Sequence, residues 1–261
     1  VPHQFATAWC LMPHPDKVHK GGEDAAFGSP NAIGVADGVG GWASKGVDPG
    51  LYSEGLMRSA EKEALAKPAP NTPRPVELLR KAYDDVEQQR VLGSTTAIIV
   101  TLESIARDRA LIHIANLGDS GILLVRPFAW DRAPQKLFRS EEQQHSFNYP
   151  YQLGGDSDKP EMAQQHTIPV NENDLVVLGT DGLFDNLFDE EINDIIKQHI
   201  VACGGIGNCN RAGLAKMSEA IAKATHTRAT SRTADTPFAK GARRVRTCLH
   251  CISRYHTCVY A

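Results

Sequence analysis

The sequence contains no apolar run approaching the ~18 residues that a membrane-crossing helix requires, which argues against a helical span. It also lacks the basic excess of a general nucleic-acid binder, since its 261 residues carry a formal net charge of −3. A dense cysteine framework is missing too. Cys10, Cys203 and Cys209 are scattered through the body of the chain, which reads as reduced thiols in an intracellular protein. No Cys heads a phosphate-cradling loop closed by Arg, and no Gly-x4-Gly-Lys-Ser/Thr motif occurs. There is no internal repeat and no linker long enough to divide the chain. The chain begins at Val1 with no initiator Met and shows no signal-peptide architecture there, so the expectation is either a removed leader or a fragment.

One absence is local: no acid follows Asp235. Five of the 28 basic residues lie beyond residue 239 and none of the 31 acids does, so residues 1–239 carry −8 while the tail is basic. Cys248, Cys251 and Cys258 crowd this tail. With His256 they superficially suggest a zinc site, but one short Cys pair without a second is a weak signal. The plainer reading is a loosely docked tail in which His250 is incidental.

What remains is an ordinary globular composition, 41% hydrophobic and 23% charged, sufficient for a sizeable core. "FATAWCLM" (5–12) and "NAIGVA" (31–36) predict strands. "YSEGLMRSAEKEALA" places Leu56, Met57, Ala60 and Ala64 at helical spacing. "PVELLRKAYDDVEQQ" starts a second helix at Pro75, with Val76, Leu79, Tyr83 and Val86 on one face. "STTAIIVTLE", "ALIHIANL" and "GILLVR" then form a meander pattern. Residues 127–173 read as an irregular excursion with a strand at 163–169. "DLVVLGT" (174–180) is the most apolar strand candidate. A helix is expected at 189–200, capped by Asp189 and carrying an Ile192, Ile195, Ile196 and Ile200 stripe, and another around Leu214, Met217 and Ile221. Helices and hairpin-linked strands in this order give an α+β architecture on antiparallel sheet.

The informative acids are those beside glycine. "NAIGVADGVGG" ends an apolar strand at Asp37-Gly38, and "LVVLGTDGLFDN" repeats the arrangement at Asp181-Gly182, with Asp185 four residues on. Asp119 sits in the tight "GDS" between two strands, and Glu23 and Asp24 follow two glycines. Asp-Gly is a common turn dipeptide, so each acid alone reads as structural. Taken as a set, carboxylates at strand ends with glycines that admit carbonyl and water ligands suit Mg²⁺ or Mn²⁺ better than zinc. Spacing by itself leaves both readings open.

"GGEDAAF", "GVADGVGGW", "GSTTAIIV", "ANLGDSG" and "GTDGLFDN" occur in the order found in the metal-dependent serine/threonine protein phosphatases of type 2C, which the chain resembles over roughly residues 8–241. "GVDPGLYS", "LMRS" and "EEQQHSFNYPYQL" resemble the branch of T-cell-activation phosphatase homologues and their plant and fungal organellar relatives. The resemblance implies a four-layer α-β-β-α sandwich of two antiparallel sheets and a site for two Mn²⁺ or Mg²⁺ ions. It implies that Asp37 bridges the ions, that the Gly38 carbonyl adds a ligand, that Glu23 binds one ion mainly through water and that Asp181 binds the other. Asp119 and Asp185 match positions that hold a third, weaker ion in some members. The implied chemistry is in-line attack by a metal-bridging hydroxide on a phosphoprotein substrate, in a monomer with no nucleic-acid partner. Branch membership implies a mitochondrial or plastid location.

Three departures from the family pattern qualify this. Many members have His two residues after the bridging Asp, where this chain, like its branch, has Val39. The usual phosphate-binding Arg is His19, which leaves Lys20, or else Lys17, as the candidate for its place against the plainer reading of two solvated lysines. Members end in a glycine-rich Asp-Asp-Ile-Thr-like segment that supplies a metal ligand and leads into a final strand. Here "RVRTCLHCISRYHTCVYA" holds no acid. The expectation is therefore a phosphatase-like domain over 1–241 with its C-terminal strand missing. Residues 242–261 would lie outside the fold, as from a shifted reading frame or altered splice junction. The alternative function is a catalytically impaired phosphatase fold that binds a partner.

Overall fold

The computed structural model describes residues 3–14, 17–18, 21–107, 109–127, 133–155, 158–231, 233–245 and 257–260. In chain order the elements are β1 (Trp9–Met12), β2 (Asp24–Gly28), β3 (Ala32–Gly38), α1 (Gly50–Ala66), α2 (Pro75–Gln88), β4 (Thr95–Ala106), β5 (Arg109–Leu117) and β6 (Gly121–Arg126). Then come β7 (Gln135–Arg139), β8 (Gln144–Ser146), β9 (Tyr149–Pro150), β10 (Gln164–Val170), β11 (Leu175–Gly179), α3 (Asp181–Phe184), α4 (Asp189–Ala202), α5 (Arg211–Ala229), α6 (Pro237–Val245) and β12 (Thr257–Tyr260).

Two five-stranded antiparallel sheets, ordered β1-β12-β11-β6-β7 and β10-β5-β4-β3-β2, face each other. Between them lies a core of β-branched and leucine side chains, including Ile33, Val35, Ile98, Val100, Ile114, Ile122, Leu124 and Leu178. α1 and α2 cover the outer face of the second sheet through Tyr52, Leu56, Leu78, Leu79 and Val86. α4 and α5 cover the first through Ile192, Ile196, Ile200, Leu214, Met217 and Ile221. This is the expected α-β-β-α sandwich. β3 shows why its sequence reads as continuously small and apolar: flanked by strands and covered on both faces, all seven of its residues are buried.

The structure corrects three local expectations. Asp24–Gly28, to which the sequence pattern assigns no element, is an edge strand paired with β3, because Ala25 and Phe27 alternate into the helix-facing core. Phe188, not Asp189, caps α4. Glu191 reaches back to the Phe188 N–H at 2.9 Å, while Asp189 in the first turn pairs with Lys136 and Arg139. The excursion at 127–173 contains the expected strand as β10, but it also holds β7 and the β8–β9 hairpin in place of irregular chain.

The final strand expected to be missing is present, so the fold does not end at 241. α6 runs on to Val245, and β12 inserts between β1 and β11 with Cys10 opposite Val259 and Gly179 opposite Val259 on the other side. Thr, Cys, Val and Tyr all suit a strand, and without them β1 would have no neighbour in its sheet. The sequence of the tail still holds no acid. Because β12 runs antiparallel to β11, its first residue lies beside the end of β11 that leads into Asp181.

Candidate metal centre

The acids singled out by sequence stand at one end of the sandwich, each delivered by a strand terminus or turn. Cross-strand pairing puts Asp24 opposite Asp37 and Asp37 opposite Thr96. The Asp37 carboxyl lies within hydrogen-bonding reach of both Asp24 and Asp181. Asp119 follows Gly118, whose φ of +106° and contacts leave no room for a side chain: a Cβ would fall 2.7 Å from Thr96 and from the Tyr151 carbonyl. Asp181 opens α3 and Asp185 closes it, the Asp185 N–H donating to the Asp181 carbonyl at 2.7 Å.

Gly38 is required for a similar reason. Its N–H donates to the Glu23 carbonyl at 2.9 Å, and a Cβ there would fall 2.4 Å from the Pro49 carbonyl. The start of α1 therefore packs directly against the end of β3. Ser53 of α1 donates to the same Glu23 carbonyl at 2.6 Å and fixes the backbone that carries Glu23 and Asp24.

A cavity of about 570 Å³ opens here, lined by Lys17, Glu23, Asp37, Gly38, Val39, Thr96, Asn148, Asp119 and Asp181 among others. Its electrostatics are those of acids without enough cations. Burial, then the neighbouring Asp181, pushes the Asp24 carboxyl up to about 8. Burial, then Glu142, pushes Asp119 up to about 7. Asp181 and Asp185 are also raised well above the carboxylate range, first by burial and then by the acids around them. Lys17 holds Glu23 at 2.5 Å, and Arg139 partly offsets Asp185 from the far side.

Among the described residues, no three His, Cys, Asp or Glu side chains close into a cage around an ion. The acids instead ring a cavity, an arrangement suited to ions that keep several waters. Their chemistry fits divalent cations. The Oδ1 atoms of Asp24 and Asp181 are buried without a hydrogen-bond partner, a costly condition that an ion or its water would relieve.

Of the site residues expected from the sequence, the structure brings together Glu23, Asp37, Gly38, Asp119 and Asp181 around the cavity, with Asp185 beside Asp181. Lys20 lies outside the described residues, and Lys17 is the one cation among the described residues lining the cavity. Sequence reasoning named Asp24 but gave it no place in the site; its pairing with Asp37 could have been found only by recognising β2. Arg139, Glu142 and Asn148 approach from the 127–173 excursion, where no periodicity marked them.

The profile of the family described as Stage II sporulation protein E (SpoIIE) matches residues 30–236. "Probable protein phosphatase 2C 80" of Arabidopsis thaliana is 39% identical over 89% of this chain and 52% of its own length. "Probable protein phosphatase 2C 55" of the same plant is 38% identical over 92% and 48%. The "Protein phosphatase PTC7 homolog" of Xenopus laevis is 38% identical over 84% of this chain and 73% of its own length. The chain thus spans about half the length of the two plant relatives. Among solved structures, that of the photosystem II phosphatase PBCP superposes with a TM-score of 0.80 at 29% identity, covering 97% of this chain and 96% of the other. The catalytic domain of the phosphatase PstP, solved with two manganese ions, superposes with a TM-score of 0.62 at 14% identity over 97% and 95%, a likeness of fold.

A sandwich with glycine-flanked acids at one rim is thus the architecture of the 2C-type phosphatase class. The chain belongs to the protein phosphatase 2C family.

Proposed function

We propose that this chain is a Mn²⁺- or Mg²⁺-dependent protein serine/threonine phosphatase that hydrolyses phosphoester bonds of phosphoproteins. The observation that carries the proposal is the convergence of Asp24 and Asp181 on Asp37, with buried carboxyl oxygens that no protein group satisfies. In this reading Glu23, Asp37 and the Gly38 carbonyl would hold one ion, Asp37 and Asp181 a second, and Asp119 with Asp185 a weaker third. Ions bound there neutralise a phosphate ester and lower the pKa of water.

The chain's own residues supply the rest. Gly40 and Gly41 keep side chains out of the cavity: a Cβ at Gly40 would fall 3.0 Å from Glu23 Oε2 and 3.3 Å from Lys17 Nζ. Lys17, anchored on Glu23, offers an ammonium to the phosphate and takes the role expected of Lys20. Val39 has no ionisable proton, so the leaving alkoxide takes one from water or from another group. Following the branch resemblance, we place the protein in the mitochondrion or plastid, acting as a monomer.

The test is hydrolysis of a phosphopeptide. Activity should require Mn²⁺ or Mg²⁺, stop with EDTA and be nearly abolished by Asp37→Asn. A folded sample inactive with added Mn²⁺ would sink the proposal. One observation favours a second reading, an impaired phosphatase fold that binds phosphoproteins: no acid follows Asp235, although β12 starts beside the site. It requires weakened metal affinity, so a calorimetric Mn²⁺ titration indistinguishable from that of a relative with the terminal acid would exclude it.

A further inference from the structure

The β8–β9 hairpin stands at the mouth of the cavity, and its side chains divide into two sets. Asn148 and Pro150 line the cavity itself. Phe147 and Tyr149, alternating with them, remain 41% and 54% exposed. Two large aromatics left exposed on one short hairpin at the edge of a polar site mark a contact surface rather than a core that failed to close.

The hairpin is held rigidly enough to present them. Its register pairs Gln144 with Pro150 and Ser146 with Tyr149, leaving Phe147–Asn148 as a two-residue turn. Asn148 takes the left-handed conformation, φ 58°, which asparagine tolerates better than most residues. Its N–H donates to Gln144 Oε1 at 2.9 Å. At the base, His145 stacks on Tyr151 with centroids 3.8 Å apart, and its Nε2 meets Asp158 at 3.0 Å. At the tip, Phe147 meets Phe238 at 5.4 Å, and the Phe238 N–H donates to the carbonyl of Asp185 at 3.1 Å. The aromatic edge is thus tied at both ends, once to the hairpin base and once to the acid rim.

We propose that Phe147 and Tyr149 form a specificity platform for substrate, binding an apolar side chain adjacent to the phosphorylated residue. The inference rests on the phosphatase reading above and names the substrate class within it: phosphopeptides with an apolar neighbour to the phosphoserine. The occupant follows from continuity, since a peptide whose phosphoseryl group enters past Asn148 passes its flanking residues along this edge of the cavity. An aromatic surface binds an apolar flank and gives a glycine nothing to contact. Neither residue touches the acids, so both position substrate through binding alone.

The test compares two fluorescently labelled phosphopeptides identical except for the residue next to phosphoserine, leucine in one and glycine in the other. The intact chain with Mn²⁺ should favour the leucine peptide about tenfold in kcat/KM, through KM, the scale set by one apolar group in a contact site. The double variant Phe147→Ala, Tyr149→Ala should lose that preference by raising KM for the leucine peptide. Phe147→Leu, Tyr149→Phe should restore most of it. Equal kcat/KM for both peptides in the intact chain, or a preference that survives the double alanine variant, overturns the platform and leaves the phosphatase reading standing. Turnover of neither peptide removes the phosphatase reading. Fluorescence anisotropy of the same peptides on the intact chain then decides the platform, tighter binding of the leucine peptide supporting it and equal binding overturning it.

Discussion

The two ends of strand β11 carry the same residue type in opposite circumstances. Asp174, just before the strand, receives two hydrogen bonds from Arg126 at 2.7 Å each, and accepts from the Asn171 N–H at 2.8 Å. Asp181, just after it, has acids for neighbours and an Oδ1 with no partner. Both ends of the sandwich also hold a cavity, about 470 Å³ beside Asp174 and about 570 Å³ beside Asp181. A void and an acid therefore do not define a site. The difference lies in compensation: one carboxylate is neutralised by its own fold, and the other is left for something the fold does not contain.

Exchanging Asp for Asn at each end should separate these roles most strongly. Asp181→Asn should lower kcat/KM for a phosphopeptide by about a thousandfold or more, on the order of 4 kcal/mol of lost transition-state stabilisation. Its Tm without metal should hold or rise, because one charge leaves a crowded buried cluster. Asp174→Asn should do the reverse. Activity should stay within about twofold, while stability falls by about 1–3 kcal/mol as Arg126 loses its partner. At about 2–4 °C per kcal/mol for a chain of this size, that is a visible drop in a thermal melt. A large activity loss from Asp174→Asn would break the distinction.

The ends should also differ in their response to pH. Asp24 and Asp119 are raised to about 8 and about 7 from an ordinary value of 3.8. The folded chain therefore holds protons that the unfolded chain has released. That contribution is fully present below about pH 4 and is lost as pH rises through about 7 to 8. In EDTA the Tm should fall by several degrees between pH 5 and pH 8. Mn²⁺ displaces those protons, so its stabilising shift should grow over the same interval. A Tm in EDTA that stays flat across it would show that the acids at the Asp181 end are not crowded in solution.

The fold was largely legible because its layers depend on hydrophobic periodicity, as in the isoleucine stripe of α4 and the unbroken apolar run of β11. The acids Asp37, Asp119 and Asp181 were legible because glycine beside an acid at a strand end is a local pattern. Neighbours across strands were not. Asp24 joins Asp37 only through the β2–β3 register, and a five-residue edge strand following glycines is too short to mark itself by alternation. The hairpin that brings Asn148 to the cavity carries no alternation long enough to register. β12 was missed for a different reason. Its four residues are good strand formers, but the expected acid was absent and that absence was extended to the strand. A ligand and the strand beside it are separate features, and losing one does not remove the other.

The smallest expected effect concerns the cation at each end. Arg126 satisfies Asp174 with two parallel hydrogen bonds, whereas Lys17 meets Glu23 as a single point charge and faces the cavity. Lys17 is therefore placed to exchange part of its attraction from Glu23 to an incoming phosphate, which Arg126 is not. Replacing it by alanine removes one partly exposed charge, worth about 0.5–1 kcal/mol. KM for a phosphopeptide should rise about two- to fivefold, with kcat nearly unchanged because the acids around Asp37 remain. Since Glu23 would then lack its cation, Mn²⁺ affinity should hold or increase, readable by calorimetry without turnover. A drop in kcat with KM unchanged would instead make Lys17 part of transition-state stabilisation, bringing its role at this end closer to the acids than to Arg126.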